Sequence, residues 1–175
     1  MILFLVGFMG CGKSTVGRRV AGRLGYHFVD MDKEIEDWAG KSIVEIFRDS
    51  GEEAFREMEL KMLLDVPASG DIIIATGGGT PCFGDNLEIM RTKGRVVYFR
   101  TSPEILLPRL KRGRGRRPKI AGMDDDSLMK YVCETIASRE EYYMQASVVI
   151  NCDGVGDEYV ATHLEHYIRG TEFRE

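Results

Sequence analysis

Residues 7–14 read Gly-Phe-Met-Gly-Cys-Gly-Lys-Ser and match the pattern G-x-x-x-x-G-K-[ST]. An apolar run precedes them, and an amphipathic stretch begins at Lys13. In this setting the glycines let the loop curl so that its N–H groups face phosphate oxygens, and the helix adds the positive end of its dipole. The motif predicts a nucleoside triphosphate site in which Lys13 bridges the β- and γ-phosphates and Ser14 binds Mg²⁺. The alternative is a glycine-rich turn that only joins a strand to a helix.

Around this loop, short apolar runs alternate with longer amphipathic stretches, which is typical of a parallel α/β sheet. We predict five buried strands, at Ile2–Val6, His27–Asp30, Asp71–Thr76, Arg95–Arg100 and Ser147–Asn151. We predict helices at Lys13–Leu24, Asp32–Arg48, Glu52–Val66, Asp85–Lys93, Pro103–Arg112, Asp124–Ala146 and Asp157–Arg169, with breaks near Gly40 and Gly51. The expected fold is a three-layer α/β/α sandwich with a doubly wound, five-stranded parallel sheet. Such a fold binds ligands beyond the carboxyl ends of its strands.

Composition limits the classes of protein that fit. With 175 residues, 43% of them hydrophobic and 30% charged, the chain fits one soluble domain covering 1–175. The net charge of −4 argues against nucleic acid or an acidic membrane as a partner. The opening apolar run is too short for a signal peptide, so we expect a cytoplasmic protein, with a monomer as the default. The four scattered cysteines are expected to be free thiols, and His163 and His166 to be surface residues rather than metal ligands.

Two carboxylates follow the second predicted strand. Asp30 and Asp32 flank Met31, and alternate residues of an extended chain face the same way, so both could point into one cleft. One carboxylate could support the Mg²⁺ shell, and the other could accept the proton of an attacking hydroxyl. In the alternative, Asp32 only caps the next helix, in which Ile35 and Trp38 form the apolar stripe.

Two further motifs suggest a site for a second substrate. Arg56 and Glu59 lie three residues apart on one face of a predicted helix. They form either a weak surface ion pair or a guanidinium held in a fixed pose for a substrate carboxylate. Gly77–Gly79 follow the third strand, and three consecutive glycines suit a substrate lying directly against backbone N–H groups. A purely structural turn is the alternative there.

A basic segment follows the predicted helix at 103–112. Residues 109–119 read RLKRGRGRRPK, with seven basic residues among eleven and no acid. A nucleic-acid arm is one interpretation, but the acidic chain and the AGMDDD that follows weigh against it. We predict a mobile lid at about 109–123 that closes over the triphosphate, excludes water and brings an arginine to the transferred phosphoryl group.

In order and spacing, these motifs resemble the shikimate kinase family over nearly the whole chain. The matching segments are GFMGCGKST at 7–15, FVDMD at 28–32, FRxxE at 55–59, TGGG at 76–79, RRP at 116–118 and REEYY at 139–143. The resemblance implies a P-loop, nucleoside-monophosphate-kinase-like fold. It also implies transfer of the ATP γ-phosphate to the 3-hydroxyl of shikimate, a step in chorismate and aromatic amino-acid biosynthesis.

The resemblance also implies roles for individual residues. For ATP and Mg²⁺, it assigns metal binding to Ser14 and Asp30. By the same resemblance, Arg117 is the lid arginine over the phosphates, and Arg109 lies near the adenine. The phosphates are assigned to Gly10, Cys11, Gly12, Lys13, Ser14 and Thr15. For shikimate, it assigns the hydroxyls and the catalytic base to Asp32, the carboxylate clamp to Arg56 and Arg139, and hydroxyl contacts to Gly77, Gly78 and Gly79. Lys13 and Arg117 join Asp32 as expected catalytic residues.

The chain departs from the family pattern at two places. Lys119 stands where the family usually has an aliphatic residue, and the segment NCDGVGD at 151–157 has no basic residue beside the expected adenine. Two alternatives remain. A kinase of the same fold for gluconate, another sugar acid or a nucleoside monophosphate should not need Asp32, Arg56, Gly77–Gly79 and Arg139 together. A nucleotide-binding switch should have a strand that ends in Asp followed by Gly.

Overall fold

One parallel sheet organises the protein, whose computed structural model describes residues 1–113 and 118–171. Its strands are β1 (Ile2–Val6), β2 (His27–Asp30), β3 (Ile72–Ala75), β4 (Arg95–Arg100) and β5 (Val148–Asn151). They lie in the order β2-β3-β1-β4-β5, and all pairs are parallel. The central β1 therefore delivers the loop at 7–14 to the edge where all five strands end. The five predicted strands are confirmed.

Seven α-helices connect and cover these strands within the described ranges. They are α1 (Lys13–Leu24), α2 (Met31–Ala39), α3 (Ile43–Asp65), α4 (Asn86–Lys93), α5 (Pro103–Arg112), α6 (Asp125–Tyr143) and α7 (Asp157–Arg169). Two short 3₁₀ turns, at Thr80–Cys82 and Pro118–Ile120, were not predicted. None of the helices in the described ranges combines the length and apolarity that a membrane span requires.

The two predicted helix breaks have different forms. At Gly40 the backbone turns left-handed, with φ of 63°, and ends α2. Ser42 then begins α3 with a reciprocal cap: Glu45 N–H donates to Ser42 Oγ at 3.3 Å, and Ser42 N–H donates to Glu45 Oε2 at 2.8 Å. At Gly51, with φ of 82° and ψ of 176°, the chain only kinks inside α3.

The core lies on both faces of the sheet. In β1, Leu3 and Leu5 join the cluster under α1, α5, α6 and α7, whereas Ile2, Phe4 and Val6 join the cluster under α3 and α4. This alternation gives the predicted three-layer sandwich. The helix α1 lies close on its face, because a Cβ at Gly17 would be 2.8 Å from Leu5 Cδ1 and from Phe28 Cε2.

A smaller cluster joins α2 to α3 through Ile35, Ile46 and Phe55. The expectation that Trp38 shares the apolar stripe of α2 with Ile35 was wrong. Ile35 is fully buried, but Trp38 is 60% exposed and lies under the ammonium of Lys61, 4.3 Å from the ring centroid. The indole thus forms a cation–π contact at the surface.

Candidate active site

The loop between β1 and α1 has the backbone that a phosphate cradle needs. Gly7, Gly10 and Gly12 have φ of 138°, 85° and 102°, a region that L side chains rarely adopt. A Cβ at Gly7 would also lie 2.8 Å from the carbonyl oxygen of Phe99. Because Gly12 has no side chain with which to cap α1, the first N–H groups of that helix remain open to a phosphate oxygen.

Lys13 is buried in this loop and stabilises its shape. Its ammonium donates to the carbonyl oxygens of Gly7 at 2.7 Å and Phe8 at 3.1 Å. It also lies 3.6 Å from Cys11 Sγ. The lysine therefore holds the loop curled while its side chain lines the adjoining cavity.

That cavity, which we call the donor cavity, has a volume of about 390 Å³. It is lined by Met9, Gly10, Gly12, Lys13, Ser14, Thr15, Asp30, Asp32, Thr76, Gly78 and Arg109. Among the described residues, those expected to hold phosphates and metal are all there except Cys11. The side chain of Cys11 is buried in the core, so only its backbone could face a ligand. Arg109 belongs to α5 and donates to the carbonyl oxygen of Gly10 at 3.2 Å.

Asp30 and Asp32 reach the donor cavity by a different geometry from the one expected. Asp30 ends β2, but Asp32 is the second residue of α2, so the argument from an extended chain was wrong. The alternative in which Asp32 caps the helix was also wrong, because Asp30 occupies the cap position. The strand-to-helix junction turns both carboxylates toward the same cavity.

The environment of Asp32 suits a proton acceptor. Burial, together with the nearby negative charges of Glu59 and Asp30, raises its pKa from 3.8 to about 6, although Lys13 opposes this shift. A carboxylate with a pKa near the working pH both accepts a proton readily and is largely ionised at neutrality.

A second cavity, the acceptor cavity, adjoins the first and has a volume of about 170 Å³. It is lined by Met9, Asp32, Glu36, Ile43, Phe47, Phe55, Arg56, Glu59, Gly77, Gly78, Gly79, Lys119 and Arg139. Met9, Asp32 and Gly78 line both cavities. Asp32 therefore lies at the junction, where a group could pass from one cavity to the other.

Arg56 is held rigidly in the acceptor cavity. Its Nη1 donates to Glu59 Oε2 at 2.5 Å, its Nη2 donates to Glu52 Oε1 at 2.8 Å, and its guanidinium lies 3.9 Å from the ring centroid of Phe83. Glu59 is fully buried, so the interpretation of this pair as a weak surface ion pair was wrong. The Nε of Arg56 is buried and has no acceptor among the described residues. Such a donor is available to a ligand.

Glu59 is itself positioned by a short chain of buried polar groups. The hydroxyl of Thr80 donates to Glu59 Oε1, and Asn86 Nδ2 donates to the carbonyl oxygen of Thr80 at 2.9 Å. All three residues are buried. Thr80, Asn86, Glu52 and Phe83 were missed by sequence reasoning. No periodic sequence pattern marks Thr80 or Asn86, so these two residues are recognised only from their burial in the structure.

At each of the three glycines, a different neighbouring group leaves little room for a side chain. A Cβ at Gly77 would lie 2.6 Å from Glu59 Oε1, and one at Gly79 would lie 2.8 Å from Arg56 Nη2. A Cβ at Gly78 would lie 3.2 Å from the backbone nitrogen of Met9. The segment thus packs against the charged groups and the phosphate loop, and its packing by itself accounts for the absence of side chains. All three glycines nevertheless line the acceptor cavity.

Arg139 comes from α6 to the opposite wall of the acceptor cavity. Its Nη1 lies 3.6 Å from where a Cβ of Gly78 would be. One turn further along α6, the hydroxyl of the buried Tyr143 donates to the carbonyl oxygen of Gly78 at 2.5 Å. This hydrogen bond fixes α6 to the glycine segment and so sets the position of Arg139.

Three further expectations concern features away from these contacts. The predicted lid begins inside the last turn of α5, and Arg117 lies outside the described residues. The four cysteines are free thiols, as predicted. Among residues 1–113 and 118–171, no group of three His, Cys, Asp or Glu side chains is arranged to hold a metal ion.

A further cavity, about 450 Å³, is a separate and mainly apolar groove. Val29, Met58, Met62 and Ile72 contribute to its lining. It contains no residue of the phosphate loop, and its chemistry offers no phosphate site. We therefore place the active site at the donor and acceptor cavities.

Comparison with known proteins identifies the family of the chain. A sequence model of the family described as shikimate kinase matches residues 9–169. The curated shikimate kinase of Parabacteroides distasonis is 41% identical over 151 residues, which cover 86% of this chain and 87% of that protein. The crystal structure of shikimate kinase from Bacteroides thetaiotaomicron superposes with a TM-score of 0.90 at 35% identity, covering 97% of this chain and 98% of the other.

A second solved structure is that of shikimate kinase from Acinetobacter baumannii in complex with shikimate. It superposes with a TM-score of 0.89 at 31% identity and covers 99% of this chain and 95% of the other. The match thus extends over both cavities and all five strands. The chain belongs to the shikimate kinase family.

Proposed function

We propose that the chain transfers the γ-phosphate of ATP to the 3-hydroxyl of shikimate, giving shikimate 3-phosphate and ADP for chorismate and aromatic amino-acid biosynthesis. The observation that carries the proposal is the position of Asp32 at the junction of a phosphate-binding cavity and a small cavity with two arginines. In the complex from A. baumannii, a protein of the same fold binds shikimate.

The acceptor cavity has the chemistry that shikimate needs. Shikimate is a small anion with three hydroxyls, so its site calls for guanidinium groups at one end and hydroxyl partners at the other. Arg56 and Arg139, which both line this cavity, bind the carboxylate. Asp32 and the backbone of Gly77–Gly79 bind the hydroxyls.

Asp32 is the catalytic base in this scheme. Its raised pKa, about 6, lets it take the proton of the 3-hydroxyl as that oxygen attacks the γ-phosphorus. The O–P bond to the new oxygen forms while the bond to the β–γ bridging oxygen breaks, and ADP leaves. Lys13 and the N–H groups at the start of α1 neutralise the charge on the phosphates.

The donor cavity also suits Mg²⁺. Ser14 offers a hydroxyl and Asp30 a carboxylate on the wall that Lys13 lines, and both are hard oxygen donors of the kind that Mg²⁺ prefers. When bound, Mg²⁺ would offset the charge of the β- and γ-phosphates. We also propose that the lid at about 109–123, with Arg117, covers the triphosphate, and that Arg109 lies near the adenine.

One copy of the chain suffices for this reaction, because residues of a single chain line both cavities. We therefore propose a monomer. Free thiols suit a reducing compartment, and the net charge of −4 disfavours nucleic acid and acidic membranes, so we propose the cytoplasm as its location. Light scattering of the purified protein at micromolar concentration tests the monomer, and a dimer mass would contradict it.

The deciding experiment measures ADP release by purified protein with ATP and Mg²⁺ across a panel of hydroxy acids. We expect turnover with shikimate and none with gluconate or a nucleoside monophosphate. Turnover with one of those acceptors in place of shikimate would overturn the proposed acceptor while leaving the phosphate site intact.

The carboxylate clamp makes a separate prediction. Arg56→Ala should raise KM for shikimate by about 100-fold, the loss of two charge-assisted hydrogen bonds, and leave KM for ATP within about twofold. Arg48→Ala is the control, since Arg48 lies on the same helix but is exposed and paired with Asp49. Equal increases in both KM values would remove Arg56 from the clamp.

A further inference from the structure

Lys119 is a cation of the acceptor cavity that the family pattern does not provide. It is the last residue of the basic segment and lies in the 3₁₀ turn at Pro118–Ile120, and its neighbour Ile120 is fully buried in the main core. The Lys119 side chain is 31% exposed and lines the acceptor cavity. Its ammonium lies 5.7 Å from the ring centroid of Phe47, which lines the same cavity. The buried Ile120 anchors the backbone beside it.

A single carboxylate oxygen joins Lys119 to Arg56. Lys119 Nζ donates to Glu52 Oε1 at 2.6 Å, and Arg56 Nη2 donates to the same oxygen at 2.8 Å. Two donors that share one oxygen lie close enough to bind one carboxylate together. Glu52 is 41% exposed and follows the kink at Gly51, so its side chain has room to turn outward.

The positive charges around the acceptor cavity explain why the carboxylate of Glu52 lies beside Lys119 and Arg56. Arg56, Arg139 and Lys119 bring three positive charges to the lining. Although burial opposes it, the hydrogen bonds from Lys119 and Arg56 lower the pKa of Glu52, so Glu52 is ionised at neutral pH. Glu52 thus pairs with both Lys119 and Arg56, and Arg56 is also paired with Glu59, one of the acids that line the same cavity.

We infer that Lys119 is a third cation of the acceptor-carboxylate site, and that Glu52, which pairs with Lys119 and Arg56, competes with the substrate carboxylate for these two cations. The inference rests on the proposed function, because it requires an acceptor with a carboxylate. It adds a specificity-determining residue at a position where the family usually has an aliphatic side chain.

The test compares shikimate with its uncharged carboxamide, each measured as a substrate or as a competitive inhibitor. Lys119→Met keeps the length of the side chain and removes its charge. We expect its KM for shikimate to rise about tenfold, as for one lost charge-assisted hydrogen bond, while KM or Ki for the carboxamide stays within about twofold. KM for ATP should not change.

Two variants separate charge from structure. Lys119→Arg should restore most of the affinity for shikimate, and Lys41→Met, which removes a lysine paired with Asp49 outside both cavities, should change nothing. Equal losses for the acid and the carboxamide in Lys119→Met would show a structural role and overturn the inference. A wild-type protein that fails to phosphorylate shikimate would instead overturn the proposed function.

Glu52→Gln tests the displacement. The amide keeps the shape of the side chain but competes poorly for Arg56 and Lys119, so KM for shikimate should fall about threefold, with the carboxamide unaffected. A higher KM for shikimate would show that Glu52 positions the cations, and would refute its role as a resident competitor.

Discussion

In the proposed reaction, Asp32 both contacts the two cavities and accepts the proton of the acceptor hydroxyl. It lines both cavities, and its charge is disfavoured by burial and by the neighbouring carboxylates of Glu59 and Asp30. The same surroundings that raise its proton affinity make its ionised form costly to the fold. Activity and stability therefore oppose each other at this residue.

Asp32→Asn should lower kcat by about 10²- to 10⁴-fold, the usual contribution of a general base. It should also stabilise the nucleotide-free protein. The folded pKa, about 6, exceeds the unfolded value of 3.8, so the wild type loses stability as pH rises between these values, and the variant does not.

The stability difference is best followed by thermal unfolding at several pH values. The advantage of Asp32→Asn should be on the order of 2 kcal/mol above pH 6 and shrink toward pH 4. Asp37→Asn, at an exposed position on the same helix, is the matched control. An advantage that does not vary with pH would contradict the raised pKa.

Gly79→Ala should act on Arg56 without touching the donor cavity. The new Cβ would lie 2.8 Å from Arg56 Nη2 and 3.0 Å from Nη1, so the guanidinium must move. We expect KM for shikimate to rise about tenfold, the cost of one lost charge-assisted hydrogen bond. Steady-state kinetics with each substrate varied should show KM for ATP nearly unchanged, and a selective rise in that constant would refute the prediction.

Sequence motifs predicted the charged residues of the site, but they did not predict the polar groups that position those residues. The spacing of Arg56 and Glu59 predicted their contact because one helical face holds both. Thr80, in the turn after β3, and Asn86, at the start of α4, complete that contact. Glu52 bridges to Lys119 across 67 residues of chain. Such long-range partners depend on packing, which local patterns do not encode.

The helix α1 carries a matched pair of glycines with opposite expected effects. Gly22→Ala should raise the free energy of unfolding by about 0.5–1 kcal/mol, because a Cβ there meets nothing within 4 Å and alanine favours the helix. Gly17→Ala should lower it by about 1–2 kcal/mol, because the Cβ would clash with Leu5 and Phe28.

Urea denaturation of the two variants beside the wild type checks this pair. Because both substitutions gain the same helix propensity, the difference between them isolates the close packing of α1 on the sheet. Stabilisation by both would mean that the core can make room beside Gly17.

Local sequence patterns predicted the strands and long helices more accurately than the short elements. Buried apolar runs predicted all five strands, and glycines predicted both helix breaks. The capping pair of Ser42 and Glu45 decided where α3 begins, and the pattern did not single it out. The 3₁₀ turns depend on tertiary contacts, such as the burial of Thr80 and Ile120, and have no periodic signal.

Charge is distributed unevenly over the molecule, whose net charge is −4 although residues 109–119 hold seven basic side chains. We expect affinity for ATP to weaken with salt. Raising KCl from roughly 50 to roughly 300 mM should raise KM for ATP about threefold or more, because exposed charges are screened over these concentrations. The KM for shikimate should respond less, because the two arginines that we propose as its carboxylate site are partly buried. Initial rates at both salt concentrations test this, and the reverse order would contradict it.

The wall shared by the two cavities has a practical consequence for inhibitor design. Met9, Asp32 and Gly78 face both sides, so an ATP fragment and a shikimate fragment could be tethered through a linker no longer than a phosphate group. Such a bisubstrate compound would gain from both halves without the entropy of a long tether. Lys119 would give its acid end a contact that relatives with an aliphatic residue lack, and hence a route to selectivity.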